Sequence, residues 1–348
     1  MSTNIRELAE QYNDYIIERR RYYHSCPELS GQEIHTTEAL KADLEAMGVE
    51  VELCKTCHGL VGTIKGGKPG KCIALRADID ALTTTEKTGL PYASENEDYM
   101  HACGHDTHTA MLLGAAKILS SVKDELCGTV KLIFQPAEEL ASGAKCIVEQ
   151  GVLDGVDAAF GQHIFSRRPA GSLSLSEGTL HPAADYFKLT VTGKASHGAL
   201  PDEGIDATVA AAAIVMALQT ISSREFSPLD PIVVTVGTLH SGARFNIISG
   251  EAVLEGTVRI FNKDIHPHMP EIMERIAKQT AAAYRCTAEL DYQFKTEILV
   301  NEPHMTAIAR AAAEKLVPPE KIFPFQRNMG GEDFAEYTSH IPCAFVAL

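Results

Sequence analysis

The chain opens with helical patterns of apolar residues and then alternates between short apolar runs and further helical patterns. Apolar side chains recur at helical spacing from Ile5 to Tyr23 and from Glu33 to Met47. The same spacing predicts helices at Thr107 to Val122 and Ala141 to Gln150. Short continuous apolar runs indicate buried strands at Gly62 to Ile64, Cys72 to Arg76 and Val130 to Phe134. Because strands alternate with helices, we predict an α/β sandwich, a mixed sheet with helices on both faces.

The pattern changes near residue 180. From there the predicted order is strand, helix, strand, strand, helix, strand, which is typical of a ferredoxin-like α+β unit. The predicted elements are Tyr186 to Thr192, Ile205 to Ile221, Ile232 to Leu239, Ala252 to Ile260, Pro267 to Arg285 and Thr287 to Phe294. We therefore predict an inserted domain at residues 180–296, and a discontinuous sandwich domain at residues 1–179 and 297–348.

Composition agrees with two soluble domains. The chain has 348 residues, of which 45% are hydrophobic and 22% charged, and this length exceeds what one compact core usually serves. The net charge of −15 argues against nucleic acid and anionic membranes as partners. The longest apolar run, Ala207 to Leu218, is too short to span a bilayer and indicates a packed helix.

The nine cysteines are scattered, and no signal peptide precedes them, so we expect a reducing cytoplasmic location. Cys54-Lys-Thr-Cys57-His58 matches a pattern for covalent haem attachment. The surrounding run, Val51 to Ile64, alternates like a strand and a turn. We therefore interpret the motif as a structural segment and predict no haem.

The candidate chemistry is concentrated in two motifs, His101-Ala-Cys103-Gly-His105-Asp106 and Gln135-Pro-Ala-Glu138-Glu139. Thiol, imidazole and carboxylate groups are the ligands that a divalent transition metal prefers. Adjacent glutamates point in different directions, so one can bind metal while the other moves a proton. That combination suits the metal-assisted hydrolysis of an amide.

Three groups of such residues directly follow predicted strands. Asp78 and Asp80 follow the strand Cys72 to Arg76, and Glu138 and Glu139 follow the strand Val130 to Phe134. His163 ends a further apolar run, Ala158 to Gln162. Ligands bind beyond the carboxyl ends of strands in open α/β sheets, so we expect the groups to meet at one edge. The structural alternatives are an Asx turn for the aspartates and a solvated pair at a helix N-terminus for the glutamates.

Two further candidates lie in the predicted inserted domain. His197 stands in Ala195-Ser-His197-Gly, and Asn246 in Arg244-Phe-Asn246-Ile. A histidine in such a turn is as often structural as functional, and Asn246 is weak evidence by itself.

Seven motifs in order resemble one family: His24-Ser-Cys-Pro-Glu28, Arg76-Ala-Asp-Ile-Asp-Ala-Leu82, Thr88-Gly-Leu-Pro-Tyr92, His101-Ala-Cys-Gly-His-Asp106, Phe134-Gln-Pro-Ala-Glu-Glu139, Gly161-Gln-His163 and Gly330-Gly-Glu-Asp-Phe334. The chain resembles the metal-dependent amidohydrolase and peptidase family of aminoacylases and glutamate carboxypeptidases. The most similar branch holds hippurate hydrolases, auxin-conjugate hydrolases and N-acetyl-diaminopimelate deacetylases.

This resemblance implies a site for two divalent ions, of which Zn, Mn, Co and Ni all suit the ligand types. It implies that Glu138 is the general base, and that Asp80, with Asp78 as the second choice, orients the metal site. The metal ligands that it implies are Cys103, His105, Glu139 and His163.

The resemblance also implies a small-molecule substrate, an N-acylated amino acid, whose scissile carbonyl is polarised or held by His197 and Asn246. The inserted domain would be a lid that forms a homodimer. Arg259, the turn at Gly330 or another basic lid group would meet the substrate carboxylate.

The family normally continues past Ile341-Pro-Cys-Ala-Phe345 through a strand and a helix that carry one more histidine ligand, whereas this chain stops at Leu348. We therefore expect a truncated C-terminal end of the sandwich domain. Two alternatives stay open: a catalytically silent binding or assembly subunit, and an aminopeptidase or dipeptidase that uses the same metals.

Overall fold

The computed structural model describes residues 4–348, which form two compact units. The first unit contains the chain up to Leu180 together with residues 299–327 and 332–348. The second contains residues 181–298 and the short segment 328–331. Each unit has its own sheet and its own core.

Residues 328–331 belong with the second unit, although the sequence-based division placed them in the first. The Gly330 carbonyl oxygen accepts a hydrogen bond of 3.0 Å from His181 Nδ1. Arg259 Nε donates to the Met329 carbonyl oxygen over 3.2 Å. This short segment is therefore held by side chains of the inserted unit.

The first unit begins with helices and then builds most of its sheet. The pattern from Ile5 to Tyr23, predicted as one helix, forms two, because the helical backbone is interrupted at Tyr12. The elements are α1 (Ile5–Gln11), α2 (Asn13–Ser25), α3 (Ile34–Ala46), β1 (Glu50–Leu53), β2 (Leu60–Lys65), β3 (Lys68–Asp78), α4 (His105–Ser121), β4 (Cys127–Gln135), α5 (Gly143–Glu149), β5 (Ala158–His163), β6 (Leu173–Ser174) and β7 (Gly178–His181).

The second unit follows the predicted order of strands and helices, with one small extra pair of strands. Its elements are β8 (Ala183–Thr192), β9 (Ser196–His197), α6 (Ala207–Leu218), β10 (Ile232–Ser241), β11 (Ile247–Ile248), β12 (Glu251–Ile260), α7 (Met269–Ala283) and β13 (Thr287–Thr296). The chain then adds β14 (Leu299–Asn301), α8 (Pro303–Ala313), β15 (Ile322–Phe323), α9 (Ala335–His340) and β16 (Cys343–Ala347).

The large sheet of the first unit is mixed, in the order β1-β2-β4-β3-β5-β16-β6-β15. Its centre is parallel, since β3 pairs in parallel with both β4 and β5, and β16 pairs in parallel with β5. Asp78 lies opposite Gln135 in this register, and Arg76 lies opposite Gly161. The carboxyl ends of three neighbouring strands therefore lie side by side, as the sequence predicted.

Helices cover both faces of this sheet. Neighbouring strand residues point to opposite faces: Leu132 packs in a core with Leu40 of α3 and Leu113 of α4. Ile133 packs in a second core with Ile147 of α5 and with residues of α9. The predicted fold class, a mixed sheet between helices, is confirmed.

The sheet of the second unit has the order β10-β12-β8-β13, and all its pairs are antiparallel. Numbered along the chain, this is 2-3-1-4, the ferredoxin-like arrangement. The side chain of Asp206 caps α6 by accepting hydrogen bonds from the N–H groups of Thr208 and Val209. A core of α6, α7 and one sheet face fills this unit.

The segment Ala207–Glu225 is, by length and composition alone, apolar enough to cross a membrane. Ala210, Ile214 and Leu218 of this segment are fully buried against the sheet. That packing is typical of a core helix, as the sequence indicated for its first part.

Candidate metal centre

A tight turn positions Cys103 and His105 at the start of α4. Gly104 has a φ of 100°, which glycine adopts without strain, and a Cβ there would lie 2.4 Å from the Ile164 side chain. The turn ends at His105, the first residue of the helix. Both candidate ligands are thereby held beside the carboxyl ends of β3, β4 and β5.

His105 is fixed by Asp80. Its Nδ1 atom lies 2.9 Å from the Asp80 carbonyl oxygen and 3.0 Å from Asp80 Oδ1, so Nδ1–H donates to this residue. The other ring nitrogen, Nε2, is buried without a hydrogen-bond partner and lies 3.9 Å from Glu139 Oε1. A buried nitrogen whose lone pair has no donor is what a metal ligand requires.

Cys103 and His163 meet on the other side of the turn. Their Sγ and Nε2 atoms are 3.3 Å apart. His163 Nδ1 donates to the Ile164 carbonyl oxygen, which leaves Nε2 as the nitrogen with the lone pair. Burial lowers the pKa of His163 to about 4, so its ring is neutral near pH 7.

Two overlapping groups of ligand atoms result. The atoms of Cys103, His105 and His163 lie within 4.8 Å of one another, and so do those of His105, Glu138 and Glu139. Glu139 Oε1, like His105 Nε2, is buried without a partner. One group offers a sulfur and two nitrogen donors, and the other a nitrogen and two carboxylate oxygens. Together the two adjacent groups supply donors that suit a pair of divalent transition-metal ions.

Asp80 serves both groups at once. Its Oδ2 atom accepts hydrogen bonds from Ser30 Oγ at 2.6 Å and from the Glu139 N–H at 3.0 Å. Burial works to raise the pKa of Asp80, but the bonds from His105, Ser30 and Glu139 outweigh it and hold that pKa below its usual range. Asp80 is therefore an ionised carboxylate that orients a histidine and a loop.

Glu138 lies beside two other carboxylates, those of Glu332 and Asp333. A group of ligand atoms from Glu138, Glu332 and Asp333 lies within 4.8 Å, and the Asp333 N–H donates to Glu138 Oε1 over 3.4 Å. Burial first, and then these two carboxylates, raise the pKa of Glu138 well above its usual range. A carboxylate with a raised pKa is suited to take up a proton and release it.

Comparison with known proteins shows the family of this chain. A profile of Peptidase family M20/M25/M40 matches residues 74–348. The chain belongs to this family. The family resemblance that the motifs indicated is confirmed.

Three similar proteins illustrate the membership of this M20 chain. N-acetyl-L-cysteine deacetylase of Bacillus subtilis (strain 168) is 41% identical over 342 residues, which are 98% of this chain and 81% of that protein. IAA-amino acid hydrolase ILR1-like 4 of Arabidopsis thaliana is 38% identical over 336 residues, 95% of this chain and 76% of its own. The crystal structure of the Bacillus subtilis YXEP protein, a dinuclear metal-binding peptidase from the M20 family, has a TM-score of 0.85 at 38% identity, and covers 97% of this chain and 89% of its own.

Asp78 and His108 also form a group of ligand atoms with His105, within 4.8 Å of one another, but hydrogen bonds already use both ring nitrogens of His108. His108 Nδ1 donates to Asp78 Oδ1 over 2.6 Å, and His108 Nε2 accepts from the Ile164 N–H over 2.9 Å. Both ring nitrogens are thus occupied, and the ring fixes the backbone that receives His163 Nδ1–H. His108 is therefore a buried supporting residue of the site.

His101 and Asp106 are also buried beside the turn. Asp106 Oδ2 lies 2.8 Å from His24 Nδ1 and 2.9 Å from Arg20 Nε, which ties the start of α4 to α2. Burial lowers the pKa of His101 to about 4. Among residues 4–348, neither His101 nor Asp106 belongs to a group of side chains that could hold a metal ion.

Sequence reasoning missed a buried ion cluster behind Glu138. Arg76 Nη1 lies 2.6 Å from Asp78 Oδ2, and Nη2 lies 2.7 Å from Asp333 Oδ1 and 3.1 Å from Glu332 Oε1. Asp333 also accepts two bonds from Gln135 Nε2, each 2.8 Å. Glu332 and Asp333 are thus two buried carboxylates that form ion pairs with the guanidinium group of Arg76. The Arg-Ala-Asp-Ile-Asp motif was the available signal for this cluster.

His197 and Asn246 come together within the second unit. His197 in β9 pairs with Ile247 in β11, and the Gly198 N–H donates to the Asn246 carbonyl oxygen over 2.8 Å. The Ala199 N–H donates to His197 Nδ1 over 3.1 Å, so neutral His197 carries its proton on Nε2. Asn246 Oδ1 is buried without a partner. Their role in substrate binding stays a prediction.

Proposed function

We propose that this chain is a metal-dependent amidohydrolase that cleaves the amide bond of N-acyl amino acids. The observation that carries the proposal is the pair of ligand groups that share His105, with unpartnered buried atoms on His105 and Glu139. Relatives at about 40% identity support the substrate class, because their names describe the deacetylation of N-acetylcysteine and the hydrolysis of IAA-amino acids.

In this proposal, four side chains would hold two divalent ions: Cys103, His105, Glu139 and His163. When bound, such ions lower the pKa of a water molecule and polarise the amide carbonyl. The metal stays open among Zn, Mn, Co and Ni, since all four suit this mixed ligand set. The dinuclear YXEP protein supports a pair of ions.

Glu138 then acts as the proton carrier. Its carboxylate takes the proton of the attacking water at one oxygen and delivers it to the nitrogen of the departing amine. Asp80 keeps the Nδ1 proton of His105 and the N–H of Glu139 in place during this step. The burial that raises the pKa of Glu138 stabilises its protonated form, which exists after Glu138 takes the proton of the water and before it gives that proton to the amine.

The inserted unit would bind substrate and pair the subunits. His197 Nε2–H and the amide of Asn246 are suited to hold the carbonyl oxygen of the scissile bond. The exposed apolar side chains of this unit include Met216 on α6, 71% exposed, and Leu239 on edge strand β10, 39% exposed. An exposed apolar helix and an edge strand of this kind support a homodimer that forms through this unit. We infer that the protein is cytoplasmic.

The experiment that tests this function is amine release from a panel of N-acetyl, N-benzoyl and indole-acetyl amino acids, with free dipeptides beside them. Protein loaded with Mn or Zn should hydrolyse at least one N-acyl series, and chelated protein should hydrolyse none. Release from free dipeptides alone would identify an aminopeptidase or dipeptidase instead. Folded protein that holds two ions per chain and releases no amine would contradict the proposal and favour a silent subunit.

A further inference from the structure

A cluster of three thiols lies outside the metal centre. Cys54 and Cys57 belong to the segment that follows β1, and Cys146 lies in α5. The Cys57 thiol interacts with the thiols of both other cysteines. All three are free and half-buried. The haem-like motif in the sequence is thus one half of a thiol cluster whose other half lies about 90 residues later in the chain.

Gln150 holds the two halves of the cluster together. Its Oε1 atom accepts a hydrogen bond of 2.5 Å from the Lys55 N–H, and its Nε2 atom donates to the Cys146 carbonyl oxygen over 2.8 Å. The same Nε2 atom lies 3.4 Å from Cys146 Sγ and 3.6 Å from Cys57 Sγ. One amide group therefore contacts the sulfur atoms of both Cys57 and Cys146.

This contact favours the chemistry of a dithiol. An N–H that donates to sulfur stabilises the thiolate, which is the attacking species in disulfide exchange. The Thr56 hydroxyl, 3.1 Å from Cys146 Sγ, adds a second polar contact to the same sulfur. The contact with the Cys54 thiol, followed by burial, raises the pKa of the Cys57 thiol well above its usual range, and burial also raises the pKa of the Cys146 thiol. The exchange should therefore be slow.

The cluster is open to small molecules. It lines a cavity of about 620 Å³ whose wall also includes His58, Pro136, Ala137 and Gly143. Ala137 directly precedes Glu138, and its carbonyl oxygen accepts hydrogen bonds from the N–H groups of Ser142 and Gly143 at the start of α5. Helix α5 therefore carries Cys146 of the thiol cluster and, at its start, is hydrogen-bonded to the loop that carries Glu138.

We propose that Cys57 and Cys146 are a redox site that forms a reversible disulfide with low-molecular-weight disulfides as the oxidant. The Cys146 thiolate, which has the Thr56 and the closer Gln150 contact, attacks one sulfur of the oxidant, whose S–S bond breaks and releases one thiol. The Cys57 thiolate then attacks Cys146 Sγ in the mixed disulfide and releases the second thiol. The two cysteine protons end on the two released thiols, and one S–S bond replaces another. The product fastens α5 to the segment after β1.

Oxidised glutathione, applied to metal-loaded full-length protein, tests the proposal. We expect the loss of two free thiols per chain and a cross-linked peptide pair that contains Cys57 and Cys146, both reversed by dithiothreitol. Cys57→Ser and Cys146→Ser should each abolish the cross-link. Cys127→Ser, which changes an exposed cysteine outside the cluster, should keep it.

Three results would overturn the proposal: a Cys54–Cys57 cross-link as the main product, glutathione adducts without any cross-link, or a cross-link that persists in Cys146→Ser. Thermal unfolding of each variant shows that it is folded, so a missing cross-link can be attributed to the missing thiol. Because the readout is the covalent bond, the result is independent of whether the protein hydrolyses N-acyl amino acids.

Discussion

The Nδ1 atom of His105 lies 3.0 Å from Oδ1 of Asp80. The second oxygen of the same carboxylate receives the backbone N–H of Glu139. One buried aspartate thus sets the ring orientation of one candidate ligand and the backbone position of another. In other metal sites such supporting hydrogen bonds fix the tautomer of the ligand histidine and raise its basicity.

Asp80→Asn tests this relationship. The amide keeps the size of the side chain but loses the charge that binds His105 Nδ1–H, so we expect metal affinity to fall by about 10- to 100-fold. Metal titration calorimetry measures the change. Asp98→Asn, at an exposed position, is the matched control and should bind metal as the wild type does. Equal affinities for Asp80→Asn and the control would show that Asp80 does not orient the site.

Arg76→Met tests the buried ion cluster. The substitution leaves the carboxylates of Asp78 and Asp333 buried without their cation, and breaking a buried pair in this way typically costs about 3–5 kcal/mol of unfolding free energy. Arg275→Met removes a surface ion pair with Glu225 and should cost at most about 1 kcal/mol. Urea unfolding of both variants decides the matter, and similar losses would mean that the buried cation adds no stability.

The buried carboxyl group of Glu33 should make the unfolding free energy depend on pH. Its carboxyl group is buried, one oxygen accepts the Ala137 N–H over 2.8 Å, and burial raises its pKa from 4.5 to about 7. The folded protein therefore binds this proton more tightly than the unfolded chain does. The stabilisation is complete below about pH 4.5 and is lost as the pH rises to about 7.

Glu33→Gln removes this titration while it keeps an oxygen for the Ala137 N–H. Relative to the variant, the wild type should lose about 2–3 kcal/mol of unfolding free energy between pH 4.5 and pH 8, at about 1.4 kcal/mol per pKa unit. Urea unfolding of metal-free protein across this range measures the difference. A difference between the two proteins that does not vary with pH would show that Glu33 titrates normally.

The order of elements and the ligand types could be predicted because both are local in sequence. The motif from His101 to Asp106 and the two glutamates each follow one strand or open one helix, so parallel pairing alone brings them together. The Arg76–Asp333 contact joins residues 257 positions apart, and no local pattern specifies it. The same holds for Gln150 and Cys57, which are 93 positions apart.

The first helix shows a different reason for a wrong prediction. The apolar spacing continues across Tyr12, so periodicity alone indicates one helix from Ile5 to Tyr23. The break depends on backbone angles at a single residue, where ψ is 8°. Burial of His108 was equally invisible, because it depends on the Ile164 N–H and Asp78, which neighbour it only in the folded chain.

Glu138→Gln tests the central claim most directly, since it removes the proton carrier and leaves the four proposed metal ligands unchanged. Metal content per chain and amine release are measured on the same sample, with Glu10→Gln at an exposed position as the control. We predict wild-type metal content in both variants, and a loss of amine release of about 10²- to 10⁴-fold in Glu138→Gln alone. Amine release by metal-loaded Glu138→Gln within a few-fold of the wild-type rate would contradict the proposed mechanism.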